Sequence, residues 1–167
     1  MSLNKLILIF VLTFFYAAPN IAQHQSKVKA RLYVKLKSVE KFRKSLKSTT
    51  NYIYSDGKII DSVFCKKKSM VYTLDAGHLY KVEFSKTGYV SKHIIINTKE
   101  IPVNSRKKIK LKADINLFTV KDGINVDFLK YEPVSIAYYN FITKTLIWDY
   151  DYNRSVVEKI IHASIEK

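Results

Sequence analysis

The sequence predicts an all-β protein, an antiparallel β-sandwich with a C-terminal hairpin and a short terminal helix. Three observations lead there. Val28 to Leu36 (VKARLYVKL) alternates strictly between apolar and polar residues, and Lys107 to Leu117 alternates again through Ile109, Leu111, Ala113, Ile115 and Leu117. Between them, Val71 to Pro102 runs as strand, Gly-containing bend, strand, Lys-Thr-Gly-Tyr turn and strand. Period-two alternation puts one face of a strand in a core and the other in water, and short strands separated by regular turn signals argue for two stacked sheets.

The first 22 residues stand apart. Lys5 supplies a positive charge, Leu6 to Phe15 is apolar apart from Thr13, and Ala17, Ala18 and Asn20-Ile21-Ala22 lead to Gln23. This is the layout of a cleaved secretory signal, expected over residues 1–22 with cleavage after Ala22. The apolar run is shorter than the roughly 20 residues that cross a bilayer, so no stable membrane span is expected after cleavage. The chain is expected to be exported, to the periplasm or to the outer membrane and cell surface.

The elements then follow in order. In Val28 to Leu36 the residues Val28, Ala30, Leu32, Val34 and Leu36 share one face. Ser38 to Thr50 is polar and Lys-rich. Val39, Phe42 and Leu46 have helical spacing there, although VEKFR fits a short edge strand equally. Asn51 to Tyr54 and Ile59 to Cys65 flank Ser55-Asp56-Gly57-Lys58, and Asp-Gly between apolar runs signals a tight hairpin because both central positions need positive φ. Met70 to Leu74 forms the next strand, turned by Asp75-Ala76-Gly77-His78. Leu79 to Ser85 places Tyr80, Val82 and Phe84 on one face, with Lys81 and Glu83 outward. After the bend at Gly88, Val90 to Asn97 returns with Ile94 and Ile96 inward and His93 toward solvent, and Pro102 ends the run because it cannot donate to a ladder.

Residues 26–117 are accordingly expected to form the sandwich domain, and 118–167 an aromatic-rich extension whose hairpin and helix pack on it. Pro133 to Tyr139 and Thr145 to Asp149 read as the hairpin. Ser155-Val-Val-Glu158 fits a capping box opening a helix, with Val156, Ile160 and Ile165 toward one side.

The segment Leu74-Asp75-Ala76-Gly77, Tyr80-Lys81-Val82-Glu83-Phe84, Ser85-Lys86-Thr87-Gly88-Tyr89 and Ile94-Ile95-Ile96 resembles the carboxypeptidase regulatory-like and PEGA-type modules of bacterial envelope proteins. Lys66-Lys67-Lys68-Ser69 replaces the Gly-containing turn usual in that pattern. The resemblance implies an immunoglobulin- or transthyretin-like sandwich with a structural, attachment or carbohydrate-associated role, and no catalytic residues.

Searching for chemistry yields little. Cys65 is the one cysteine, so no internal disulfide forms, and its apolar surroundings suit a buried small residue. His24, His78, His93 and His162 lie far apart and show no metal-ligand spacing. No G-x-S-x-G elbow or phosphate-cradling Gly loop is present. Neither a catalytic set, a cofactor site nor a metal site is therefore expected. Asp149 and Asp151 would share a strand face at a spacing a glycoside hydrolase pair can use, which keeps a small glycan hydrolase as an alternative.

The net charge of +15 favours anionic surfaces and gives a second alternative, a basic adhesin for an anionic polymer or lipid surface. Nucleic acid is not expected as a partner of an exported chain. Trp148, Tyr150 and Tyr152 offer rings for stacking, and Lys66, Lys67 and Lys68 offer charge; these six are the candidate recognition surface. The functional expectation is an exported, non-enzymatic module of the cell envelope that binds or scaffolds another envelope protein or a glycan.

Overall fold

The structure, a computed structural model, describes residues 28–41, 44–105, 108–119 and 124–165. The expected signal, residues 1–22, and Phe42 lie outside the described residues. Among the described residues nine strands run in chain order: β1 (Lys29–Ser38), β2 (Thr49–Ser55), β3 (Lys58–Cys65), β4 (Ser69–Asp75), β5 (Leu79–Ser85), β6 (Lys92–Asn97), β7 (Ile109–Leu117), β8 (Ser135–Asn140) and β9 (Thr145–Trp148). A 3-10 turn, Asp127–Lys130, precedes β8, and helix α1 (Tyr150–Ile165) follows β9. The strands form a three-stranded sheet, β4-β1-β7, over a six-stranded sheet, β3-β2-β5-β6-β8-β9. This is the expected all-β sandwich with its terminal helix.

The core is made by the alternation the sequence displays. Ala30, Leu32, Val34 and Leu36 of β1 and Ile109, Leu111, Ala113, Ile115 and Leu117 of β7 are buried against Val82, Phe84, Ile94 and Ile96 of the larger sheet. Removing such apolar area from water is what drives the layers together. The hairpin between β2 and β3 turns at Asp56 and Gly57, whose φ values of 49° and 82° are those of a two-residue turn with both centres left-handed. The side chain of Asp56 fixes that turn to the next one: its carboxylate accepts from the Leu79 N–H at 3.0 Å and meets His78 Nδ1 at 2.7 Å. The Tyr80 hydroxyl accepts the Asp75 N–H at 3.0 Å, tying the corner between β4 and β5.

Two ladders differ from the antiparallel expectation. β1 pairs with β7 in parallel, and β6 pairs with β8 in parallel, while the other five ladders are antiparallel. Alternation specifies which side chains face inward but not the direction of the neighbouring strand, and both parallel pairs join strands that are distant in the chain. The hairpin β8–β9 forms where expected and is continuous with the six-stranded sheet through β6.

Other local corrections have identifiable causes. Residues 39–41 are a turn and Ser45 makes an isolated bridge with Lys37, so among the described residues of this segment there is neither a helix nor an edge strand. Leu46 is instead buried, its N–H donating to Leu36 O at 2.8 Å. Helix α1 begins five residues before the expected capping box. Asp149 Oδ1 accepts the Tyr152 N–H at 3.0 Å and Asp149 O accepts the first helical bond from Asn153 at 3.1 Å, which makes Asp149 the N-cap. Ser155 then lies inside the helix with its hydroxyl donating to Tyr152 O at 2.8 Å. Val156 is buried and Ile160 half-buried as expected, whereas Ile165 is exposed. His93 is buried, not solvent-facing. It sits on β6 inside the sheet, and the 3-10 turn, with Leu129 fully buried, packs against that strand. Burial first, then Lys81, holds the His93 imidazole below its usual pKa. Among the described residues no helix is long and apolar enough to cross a membrane.

Candidate binding surfaces

The six candidate recognition residues separate into two places, at opposite ends of the larger sheet. The lysines belong to the β3 edge. β3 is the terminal strand of the six-stranded sheet and is paired on one side, to β2. A register shift at Ile53/Tyr54 leaves an extra residue on β3, the bulge common at sheet edges. Most of the strand is exposed, including Ile59 at 56%, Ile60 at 57% and Phe64 at 58%. Lys58 opens the strand, and the exposed Lys66, Lys67 and Lys68 follow its end. Cys65 is buried, its Sγ lying 3.7 Å from Lys67 O. An exposed edge presents unpaired N–H and C=O groups, which is why proteins usually shorten it or cover it. This edge spans eight residues and keeps three large apolar side chains in water.

The aromatic residues belong to a cleft beneath α1. Trp148 ends β9 and is half-buried, with Nε1–H donating to Lys112 O at 2.8 Å. The bond ties β9 to β7 and closes one side of the sandwich. Tyr150, the first residue of the helix, is exposed at the rim. Tyr152 has a structural part, its hydroxyl donating to Pro133 O at 3.0 Å. So Trp148 and Tyr150 come together on one cleft wall, and Tyr152 anchors the helix behind them.

The residue that the sequence reading passed over is Lys92. It shares a strand face with Ile94 and Ile96, because residues two apart on a strand point the same way, and that parity was the available signal. Lys92 is only 8% exposed. Its Nζ donates to Asn116 O at 2.7 Å and lies 4.5 Å from the centre of the Phe118 ring. Burial lowers its pKa to about 8, with the Glu40 charge pulling the other way. Burial likewise pushes the Glu40 carboxyl upward. The Thr119 N–H at 2.6 Å and the Ser38 and Thr119 hydroxyls outweigh that effect and leave it below its ordinary value.

Among the described residues three hollows meet at Lys92, one of them, of about 380 Å³, on the side of His93, Asp127 and Leu129, and the other two beneath α1. One of about 370 Å³ lies between α1 and β7, with Trp148, Tyr150 and Val156 in its wall. Another of about 480 Å³ continues toward Val39, Phe118 and Ile161. Val157 and Ile160 of α1 line both.

The carboxylates considered for hydrolysis are placed differently from a strand pair. Asp149 caps the helix and Asp151 lies in its first turn, exposed. Among the described residues no three His, Cys, Asp or Glu side chains come together as a metal site.

No protein-family model matches this chain, and no curated protein matches it. Among solved structures, the Bacillus anthracis TIE protein aligns at 20% identity over 56% of this chain and 18% of its own, with a TM-score of 0.44. A catechol 1,2-dioxygenase from Acinetobacter, inhibited by bound mercury, aligns at 10% identity over 65% of this chain and 56% of its own, with a TM-score of 0.40. The chain spans less than two thirds of the length of either, and both likenesses are too distant to speak for function.

Proposed function

We propose that this protein is an exported, non-enzymatic β-sandwich module of the cell envelope that holds another envelope protein by strand addition at β3. Export rests on the Lys5-led apolar segment ending at Ala22, and the envelope role on the carboxypeptidase regulatory-like and PEGA-type pattern of Leu74 to Ile96. The observation that carries the binding function is the β3 edge, with Ile59, Ile60 and Phe64 in water. An added strand satisfies the free backbone groups and covers those side chains.

Charge selects the partner. Lys58 at one end and Lys66 to Lys68 at the other favour an extended segment with apolar residues in its middle and acidic residues at its ends. A second copy of the chain is disfavoured, because antiparallel pairing of two β3 strands would bring Lys58 against the partner's lysine run, and like charges across a ladder repel. Asp149, one of the two carboxylates considered for hydrolysis, works as a helix cap, and Trp148 Nε1 ties β9 to Lys112. The exposed lysine run also favours a second reading, a basic adhesin for anionic polymers or lipid surfaces.

The test uses the purified full chain and a labelled peptide of alternating Ile and Thr with two Glu at each end, followed by fluorescence anisotropy. Saturable binding is expected, weakened at least about tenfold by Ile60→Lys or Phe64→Lys and reduced in 1 M salt, where the Debye length falls to about 3 Å. Equal binding by wild type and both variants overturns the edge reading. Binding of polyanions but not of the peptide would favour the adhesin. Hydrolysis of glycans or peptides by the chain, lost in Asp149→Asn, would overturn the non-enzymatic part.

A further inference from the structure

We propose that the cleft beneath α1 is a second binding site, for a single-chain amphiphile with a carboxylate head, whose head pairs with Lys92 and whose chain lies along Val157 and Ile160. The site is separate from the β3 edge, at the other end of the larger sheet.

The chemistry of the ligand is set by what surrounds the ammonium group. Lys92 carries its charge into a space lined chiefly by apolar side chains, and a buried charge is costly unless it is paired. The groups that meet it are a carbonyl oxygen, Asn116 O at 2.7 Å, and the face of Phe118 at 4.5 Å. Both are favourable dipolar or quadrupolar contacts, and neither neutralises a charge. Glu40, whose field reaches Lys92, has its carboxylate oxygens taken by Thr119 and Ser38. Glu40 keeps its charge and acts on Lys92 without a direct ion pair, and an incoming carboxylate would supply that direct contact as a short, charge-assisted hydrogen bond.

The shape of the ligand follows from the walls. The hollows of about 370 and 480 Å³ fall within the range of about 300–1,000 Å³ typical of small-molecule sites. Lys112 and Asp114 in one hollow and Glu40 in the other also reach the walls, with Asp114 paired to Lys37 and Glu40 held by Thr119 and Ser38. The stretch along Val156, Val157, Ile160 and Ile161 is apolar and suits a hydrocarbon chain bearing one acidic group. A nucleic acid would need a row of cations. Val157, at 45% exposed, stands at the opening, so the chain can enter without unfolding the sandwich.

The protein carries its own reporter. Trp148 is the one tryptophan in the chain, and it lines the cleft. Purified full chain would be titrated with laurate below its micelle concentration, and separately with dodecanol as the uncharged counterpart, while Trp148 emission is recorded. A saturable change is expected with laurate, and binding at least about tenfold weaker with dodecanol. Lys92→Met and Val157→Asp are each expected to weaken laurate by a similar factor while circular dichroism stays that of the wild type. Val157 is half open to solvent, so its variant keeps the test valid if Lys92→Met fails to fold. Equal responses to laurate and dodecanol, unchanged laurate binding in the folded variants, or no saturation with laurate would each overturn the proposal.

Discussion

At the scale of single residues, Lys92 is where burial and charge conflict most. Its folded pKa of about 8 lies below the ordinary lysine value of 10.5, so between those two pH values the unfolded chain binds more protons than the folded one. Stability therefore rises with pH across that window. The depression corresponds to about 3 kcal/mol, a penalty present below pH 8 and relieved by pH 10.5. Lys92→Met keeps the volume and removes the charge. Its stability relative to the wild type is expected to be most favourable near pH 7 and to decline by about 3 kcal/mol toward pH 10.5, measured by urea unfolding at both values. A difference that does not change with pH would contradict the burial of a charged amine. The position was legible by parity with Ile94 and Ile96. A lysine nonetheless reads as solvent-facing unless something shows that its strand is central and its end covered. His93 was misread for the same reason: the cover, Leu129 in the 3-10 turn, comes from a segment 36 residues later in the chain with no periodicity of its own.

At the scale of elements, local chemistry decided what was legible. The Asp56-Gly57 hairpin could be read because left-handed centres restrict the residue types so strongly, and the φ values of 49° and 82° meet that demand. Strand faces in β1, β5 and β7 could be read because one side of each is buried. The start of α1 was less legible, since Asp149 and Ser155 are both good caps and only the end of β9 at Trp148 selects the first. Removing that cap by Asp149→Ala is expected to cost about 1 kcal/mol in urea unfolding. Asp149→Asn is expected to stay within a few tenths of a kcal/mol of the wild type, since Asn caps about as well. Ser155→Ala is expected to change little, because its hydroxyl bonds back to Tyr152 O within the helix. A large loss in Ser155→Ala with none in Asp149→Ala would restore the capping box. The parallel ladders β1–β7 and β6–β8 were not legible at all, because alternation is the same whichever way a neighbour runs.

At the scale of the whole molecule, two sheets hold two surfaces far apart in the strand order. One is a paired-on-one-side strand with apolar side chains between lysines. The other is a cleft closed by the Trp148 tie and floored by Lys92. The six candidate residues lie at opposite ends of the larger sheet, a separation that sequence could not show because proximity along the chain says nothing about sheet order. The net charge of +15 bears on which partners approach and how fast, while in the proposed function the edge holds the partner. Strand addition would change the exchange of particular backbone hydrogens, so amide hydrogen exchange of Lys58 to Cys65, with and without the acidic-ended peptide, is the most direct measurement. Slower exchange confined mainly to β3 is expected when the peptide is bound. Unchanged exchange in β3 at a peptide concentration that saturates binding would contradict a partner docked on that edge.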